Sequence, residues 1–89
     1  MKTPRRLLPS ISSLRALEAL DRLQSASAVA EEMSLTQSAV SRQLQSLEQQ
    51  LGTDLIVRDK KRLALSADAQ DYAAEIRQAL TQIAQATFR

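Results

Sequence analysis

Cysteine and histidine are both missing from this 89-residue chain, and each absence removes a class of chemistry. Without cysteine there is neither a disulfide framework nor a thiolate metal site, a usage that suits the reducing cytosol. Without histidine as well, the commonest general base and the best nucleophile are gone. The serines have no evident activating partner, and the adjacent Glu31 and Glu32 splay on a helix instead of converging, so no catalytic residue is assigned and an enzyme is not expected. No metal-ligand spacing and no glycine-rich phosphate loop occurs, so neither a metal nor a cofactor is expected. Aromatics are confined to Tyr72 and Phe88, too few for the stacking platforms of single-strand and RNA binders, which leaves duplex DNA as the expected nucleic-acid partner. No apolar run approaches membrane length, and Pro9, Ser10, Ser12 and Ser13 interrupt the stretch a signal peptide would need. The expectation is a cytoplasmic, nucleoid-associated protein with no membrane partner.

Glycine occurs once and proline twice, while Leu, Ala, Gln, Ser and Glu dominate, a composition for helices joined by short turns. The length allows one small domain with a modest core, so part of its stability is expected from self-association. The formal net charge is only +2, but it is unevenly spread. Lys2, Arg5, Arg6 and Arg15 precede the first acid and Arg58, Lys60, Lys61 and Arg62 cluster later, with Glu18, Asp21, Glu31 and Glu32 between them. Local fields of one sign guide a polyanion even when the total is near zero.

Along the chain, residues 1–11 read as a basic arm whose charge is expected to be mainly solvated, the alternative being contact with phosphate. A first helix is expected from a cap at Ser12 or Ser13, with Leu14, Leu17 and Leu20 on its apolar stripe. A second runs from about Ser27 to Met33, with Ala30 and Met33 inward and Glu31 and Glu32 outward. Ser34 and Leu35 make a tight turn, and Thr36 caps the next helix. Two short helices across so small a turn form a helix-turn-helix. In the third helix Val40, Leu44, Leu47 and Leu51 fall at steps of four, three and four, and Gly52 ends it. Two short apolar runs, 54–58 and 62–65, flank a charged tip and predict a hairpin. From a cap at Ser66 a last helix carries Ala69, Ala73, Ile76, Leu80, Ile83 and Thr87 at alternating steps of four and three, a heptad seam of almost three repeats.

The third helix is the informative one. Opposite its apolar seam it displays Ser38, Ser41, Arg42, Gln45 and Gln49, and no acid occurs from Thr36 to Leu47. A carboxylate there would be repelled by phosphates, whereas amides, hydroxyls and a guanidinium bond base edges and backbone oxygens. An ordinary exposed helix would instead gain from Glu and Lys pairs four apart. Next to such a helix, the basic hairpin tip reads as a second contact lying along the backbone or in the minor groove, with a solvated turn as the bland alternative. The seam of the last helix is too long for a small domain to cover, so pairing with a second copy is expected, although some residues, Tyr72 among them, are expected to pack on their own domain. A rival reading makes the chain an interaction module that pairs through Ile76, Leu80 and Ile83 without binding DNA.

The run Ser34-Leu35-Thr36-Gln37-Ser38-Ala39-Val40-Ser41-Arg42-Gln43-Leu44, followed by Leu47-Glu48 and Leu51-Gly52, closely resembles the signature of LysR-type transcriptional regulators. The opening Arg5-Arg6-Leu7 with Leu14-Arg15-Ala16-Leu17-Glu18-Ala19 is similar to the branch holding the glycine-cleavage and beta-lactamase activators. The resemblance implies a mainly α winged helix-turn-helix over 12–65, a three-helix core plus a two-stranded β wing, followed by a linker helix over 66–89 that pairs antiparallel in a homodimer. It implies DNA-facing positions at Gln37, Ser38, Ser41 and Arg42, beside which Gln45 lies on the same face. A phosphate-contacting cap is implied at Thr36, with wing arginines at Arg58 and Arg62 flanking Lys60 and Lys61. Pairing residues are expected at Ala69, Tyr72, Ala73, Ile76, Leu80, Ile83 and Thr87. Family members bind interrupted palindromes upstream of genes. No effector-sensing domain is expected within this chain, and so no small-molecule effector bound by it alone. Gln24 stands where a helix-ending glycine is usual, Ala26 and Ile56 replace aromatics, and Ala67-Asp68-Ala69 alters the start of the linker. These departures concern packing more than DNA reading.

Overall fold

The computed structural model describes residue 4 and residues 7–59 and 62–88. The elements run α1 (Ile11–Leu23), α2 (Ala26–Met33), α3 (Gln37–Leu51), β1 (Ile56–Asp59), β2 (Arg62–Leu65) and α4 (Ala67–Phe88). The fold is therefore the mainly α winged helix-turn-helix expected, with a long terminal helix. No helix of the described residues is long and apolar enough to cross a membrane.

Hydroxyls start every helix. Ser25, Thr36 and Ser66 accept from the backbone N–H groups of Ala28, Ala39 and Ala69 at 3.2, 3.0 and 3.1 Å, each satisfying an amide with no intrahelical partner. The cap of α1 corrects the sequence reading. It is Ser10, which accepts from Ser13 N–H at 3.1 Å. Ser13 is buried and returns its own hydroxyl to the Ser10 carbonyl at 2.9 Å, while Ser12 accepts a side-chain hydrogen bond from α3. Three hydroxyls in four positions made the choice ambiguous, and the other two have tertiary or reciprocal partners. The cap of α2 likewise sits at Ser25, so that helix begins one residue earlier than expected.

All three core helices end on a left-handed residue: Gln24 at φ 57°, Ser34 at φ 56° and Gly52 at φ 71°. Leu35 N–H reaches back to the Ala30 carbonyl at 2.9 Å and Thr53 N–H to that of Glu48 at 3.2 Å, the bonds of a Schellman ending. Only at Gly52 is the residue free of the Cβ clash that disfavours this region.

The core gathers Leu17 and Leu20 of α1, Val29 of α2, and Val40, Leu44 and Leu47 of α3, all almost wholly enclosed. Leu55 and Leu65 close it from the wing, and Ala69 and Ala73 from α4. The last two are a correction to the expected pairing residues: both are fully buried in their own domain, because small side chains let α4 lie directly on the core. Tyr72 packs half-buried on the same core, which raises its phenol pKa through desolvation. Ile76 and Leu80 are half-buried, whereas Ile83 and Thr87 are exposed and Phe88 is 94% exposed. The N-terminal third of the seam thus belongs to the core, Ile76 and Leu80 lie at its edge, and Ile83 and Thr87 project beyond it.

In the wing, β1 and β2 pair antiparallel with Ile56 opposite Leu65, Arg58 opposite Leu63 and Asp59 opposite Arg62. Ser66 N–H closes the base on the Leu55 carbonyl at 3.0 Å. The period of two puts Ile56, Leu63 and Leu65 on one face, all at least half-buried, and Arg58 at the outer end of that face.

An ionic network ties the outer surfaces of α1, α2 and α4. Arg22 bonds Glu18 at 3.0 Å and Glu32 at 2.6 Å, and Arg77 bonds Glu18 at 3.0 Å and Asp21 at 2.8 Å. Hydrogen bonds from Arg22 hold the Glu18 carboxyl below its ordinary range, burial opposes them in part, and Arg77 adds to the lowering. Both guanidinium pKa values are raised in return.

Replacing Gln24 by Gly should raise stability by up to about 1 kcal/mol and Gly52 by Ala should lower it by about 1 kcal/mol, read from urea midpoints, because the left-handed region penalises a Cβ. Space does not decide the second, since a Cβ at Gly52 would meet nothing within 4 Å. A carboxyl with a depressed folded pKa stabilises the fold above its unfolded pKa and loses that contribution as pH falls through the folded one. The stability difference between wild type and Glu18→Gln should therefore be present above about pH 4.5 and shrink below it; a pH-independent difference would assign Glu18 a role through packing alone.

Candidate nucleic-acid interface

The face of α3 opposite the Val40, Leu44 and Leu47 seam is open to solvent. Gln37, Ser38, Arg42, Gln45 and Gln49 are exposed and Ser41 is half-buried. Thr36 is exposed as well, with its hydroxyl engaged in the cap, so its lone pair serves the helix and its O–H stays available to an acceptor. The unsatisfied amides of this first turn give the helix start a positive end close to Gln37 and Ser38.

The wing is brought against this helix. Gln37 and Ser41 of α3, Arg58 of β1 and Arg62 and Leu63 of β2 line one cleft, closed on the α2 side by Ala26. Gln37 and Arg62 continue into a second recess beside Ser25 and Ser27. Residues as far apart in sequence as Ala26 and Leu63 so converge on one strip of surface, with two guanidinium groups along its edge. Lys60 and Lys61, expected at the wing tip, lie outside the described residues, as do Lys2, Arg5 and Arg6 of the arm.

The charges on this strip differ in kind from those on the far side. Arg22 and Arg77 are consumed by Glu18, Asp21 and Glu32. Arg42, Arg58 and Arg62 form no ion pair with any described side chain, and all three are exposed. The ion pairs among the described residues therefore lie on α1, α2 and α4, and none involves the cations of α3 and the wing.

Two side chains that place this surface carried no assigned role in the sequence reading. Glu48 turns its carboxylate under the wing root, where one oxygen accepts from Leu55 N–H at 2.9 Å and Ile56 N–H at 3.2 Å. The first acid after the carboxylate-free stretch is thus directed to backbone amides and fixes the wing to α3. Gln43 donates to the Ser12 hydroxyl at 2.9 Å, which ties α3 to α1. Neither bond has a signal in the sequence beyond membership of the motif, because each partner comes from another element. The far end of α3 marks the limit of the basic strip, since the groove beside Gln45 and Gln49 also contains Glu48 and Asp54.

Comparison with known proteins gives this geometry a context. The family model described as bacterial regulatory helix-turn-helix protein, lysR family, matches residues 11–70. The chain is 39% identical over 80 residues to the glycine cleavage system transcriptional activator of Escherichia coli (strain K12), covering 90% of this chain and 26% of that protein. It is 48% identical over 59 residues to the HTH-type transcriptional regulator TrpI of Pseudomonas aeruginosa, covering 66% of this chain and 20% of that one. Among solved structures it is similar to CbnR_DBD in a DNA complex, with a TM-score of 0.81 and 24% identity over 90% of this chain and 92% of the other, a likeness of fold. The chain spans about a quarter of the length of the activator it matches.

Because the carboxylate of Glu48 accepts from two partly buried amides, Glu48→Ala should cost about 1–3 kcal/mol of stability and free the wing root. Hydrogen exchange at Leu55 and Ile56 checks this: protection at both amides should fall in the variant while that of the α3 core persists. Unchanged protection would mean that the wing is held by its apolar face instead.

Proposed function

The chain belongs to the lysR family of bacterial regulatory helix-turn-helix proteins, and from that footing we propose that it binds double-stranded DNA sequence-specifically in the regulation of transcription. The observation that carries the reading is the strip of amides, hydroxyls and cations without an ion pair among the described residues, shared by α3 and the wing and set apart from the ion-paired arginines on the far side. In this reading α3 enters the major groove. Gln37, Ser38, Ser41, Arg42 and Gln45 face base edges and nearby phosphates, and Thr36 contacts the backbone at the helix start. Arg58 and Arg62, with Lys60 and Lys61 between them, lie along the backbone or in the minor groove. Arg42, exposed and without an acidic partner among the described residues, is the anchor for a base edge.

The projecting part of α4 extends the proposal to a homodimer. Ile76 and Leu80, half-buried at the edge of the domain, continue into the exposed Ile83 and Thr87, and two such helices packed together would cover the apolar surface that one domain leaves open. A twofold pair presents two reading helices to an interrupted palindrome. The bacterial regulators to which the chain is similar act on DNA, which supports a cytoplasmic, nucleoid-associated location. The rival reading, a partner-capturing module that makes no use of DNA, leaves the convergence of Gln37, Ser41, Arg58 and Arg62 without a role.

Selection of duplexes from a random pool, followed by affinity measurements across a salt series, tests the proposal. Arg42→Ala should weaken binding to the selected site by about 1–3 kcal/mol and relax the preference at one base pair. Neutralising Lys60 or Lys61 should weaken all sequences alike and reduce the salt slope by about 1 per lost phosphate contact. Absence of duplex binding by the wild-type chain at every salt concentration would overturn the reading.

A further inference from the structure

The two ends of the α1 cross-section are held by different partners. Ser12, which accepts from Gln43 of α3, and Asp21, which accepts from Arg77 of α4, are nine residues apart. That is two and a half turns, so they lie on opposite sides of the helix. α1 packs on both α3 and α4, lying between them. The orientation of the reading helix relative to the terminal helix is therefore transmitted chiefly through α1.

On the α4 side the transmission has one guanidinium. Arg77 donates from Nε to Glu18 at 3.0 Å and from Nη2 to Asp21 at 2.8 Å, two acceptors on adjacent turns of α1. Glu18 is itself held by Arg22, whose other bonds go to Glu32 of α2. A planar fork engaging two fixed carboxylates defines a direction as well as a contact. Beyond Arg77, α4 continues to Phe88, about 16 Å at 1.5 Å per residue. From Thr81 onward every described side chain is exposed, so no packing contact within the domain steers that stretch. Among the described residues, the last polar bond between α4 and the domain thus lies at Arg77, at the base of a lever.

We propose that Arg77, clamped to Glu18 and Asp21, is a positioning residue that sets the angle between the terminal helix and the reading helix, and so the separation of the two DNA half-sites that a dimer accepts. The inference rests on the reading above, in which α4 pairs two copies on duplex DNA. The magnitudes favour specificity over stability as the effect. The side chains of Arg77, Glu18 and Asp21 are 41%, 13% and 23% exposed, and ion pairs with an exposed partner contribute little to folding. Yet a tilt of about 10° at this contact moves the far side of a molecule 28 Å across by about 5 Å, more than the ~3.4 Å rise of one base pair. Twofold symmetry doubles the displacement.

The test uses duplexes carrying the selected half-sites with the intervening length varied one base pair at a time, together with a duplex holding a single half-site. Wild type should show one preferred spacing. In Arg77→Gln the ratio of affinities between that spacing and its one-base-pair neighbours should fall about fivefold, the size of coupling through one contact pair, with single-half-site affinity unchanged. Arg77→Lys, which keeps the charge and one bond, should recover part of the ratio. A folded Arg77→Gln with the wild-type spacing profile overturns the inference, whereas a wild-type chain with no duplex binding or no spacing preference fails the underlying functional reading instead. A measurement without DNA covers loss of folding in the variant. Spin labels at Gln49→Cys and Gln85→Cys, in a chain with no native cysteine and diluted with unlabelled copies, should give a broader distance distribution when Glu18→Ala and Asp21→Ala remove the acceptors. An unchanged width overturns the clamp.

Discussion

The burial of α1 between its neighbours is the constraint on which the remaining geometry depends. Ser13, Ala16, Leu17, Ala19 and Leu20 are all buried, which gives a thirteen-residue helix an enclosed face wider than that of an ordinary surface helix. Alanines at two of these positions keep that face narrow enough for helices to approach from different directions, and the leucines fill the space between them. α3 meets one side, where Gln43 finds Ser12, and α4 meets the other, where Arg77 finds Glu18 and Asp21. The helix that displays the basic strip and the helix that projects from the domain are both referenced to the same rod, so neither can turn without disturbing it.

Charge is arranged around that rod by the partners each arginine meets. α1 contributes Glu18 and Asp21 and α2 contributes Glu32, and the two arginines within reach, Arg22 and Arg77, are bound by them. α3 contributes no acid until Glu48, whose carboxylate is directed to backbone amides at the wing root. The cations of α3 and the wing consequently face solvent without a described counter-charge. A formal net charge of +2 is compatible with a basic strip because most of the acids lie on α1, α2 and α4, away from Arg42, Arg58 and Arg62. The bond that removes the Glu48 charge from the strip also sets the wing against α3, so one carboxylate contributes to both the shape and the field of the surface.

The core is small, and its edges show where further surface is left open. Apart from Leu55 and Leu65, the wing and α4 contribute only Ala69 and Ala73 to its buried set, while large side chains remain exposed at Leu7, Leu8 and Ile11 at one end of α1 and at Ile83 and Phe88 on α4. A domain of this size buries a modest fraction of its apolar surface. Enclosing Ala69 and Ala73 sets the position of the long helix on the domain, and the residues after Arg77 extend into space the fold does not fill.

Much of this architecture was legible in the amino-acid order alone. The bounds of α3, its seam of Val40, Leu44 and Leu47, the cap at Thr36 and the stop at Gly52 follow from periodicity and local hydrogen-bonding chemistry, which link residues near one another in the chain. The hairpin followed from two short apolar runs around a charged tip, and the open face of α3 from the absence of acids. The cap of α1 was misread because local chemistry allowed several serines, and only the bonds of Ser13 to Ser10 and of Gln43 to Ser12 distinguish them. Ala69 and Ala73 fit a heptad as well as a core contact, and what lies beside them in space decides between the two. Local propensity and periodicity thus determined the helices, the wing and the residues on each face, since those depend on neighbours in the chain. The docking of the wing by Glu48, the clamp at Arg77 and the pairing of some arginines but not others were decided only in the tertiary structure, because an ion pair or a buried amide has no meaning until distant segments share a surface.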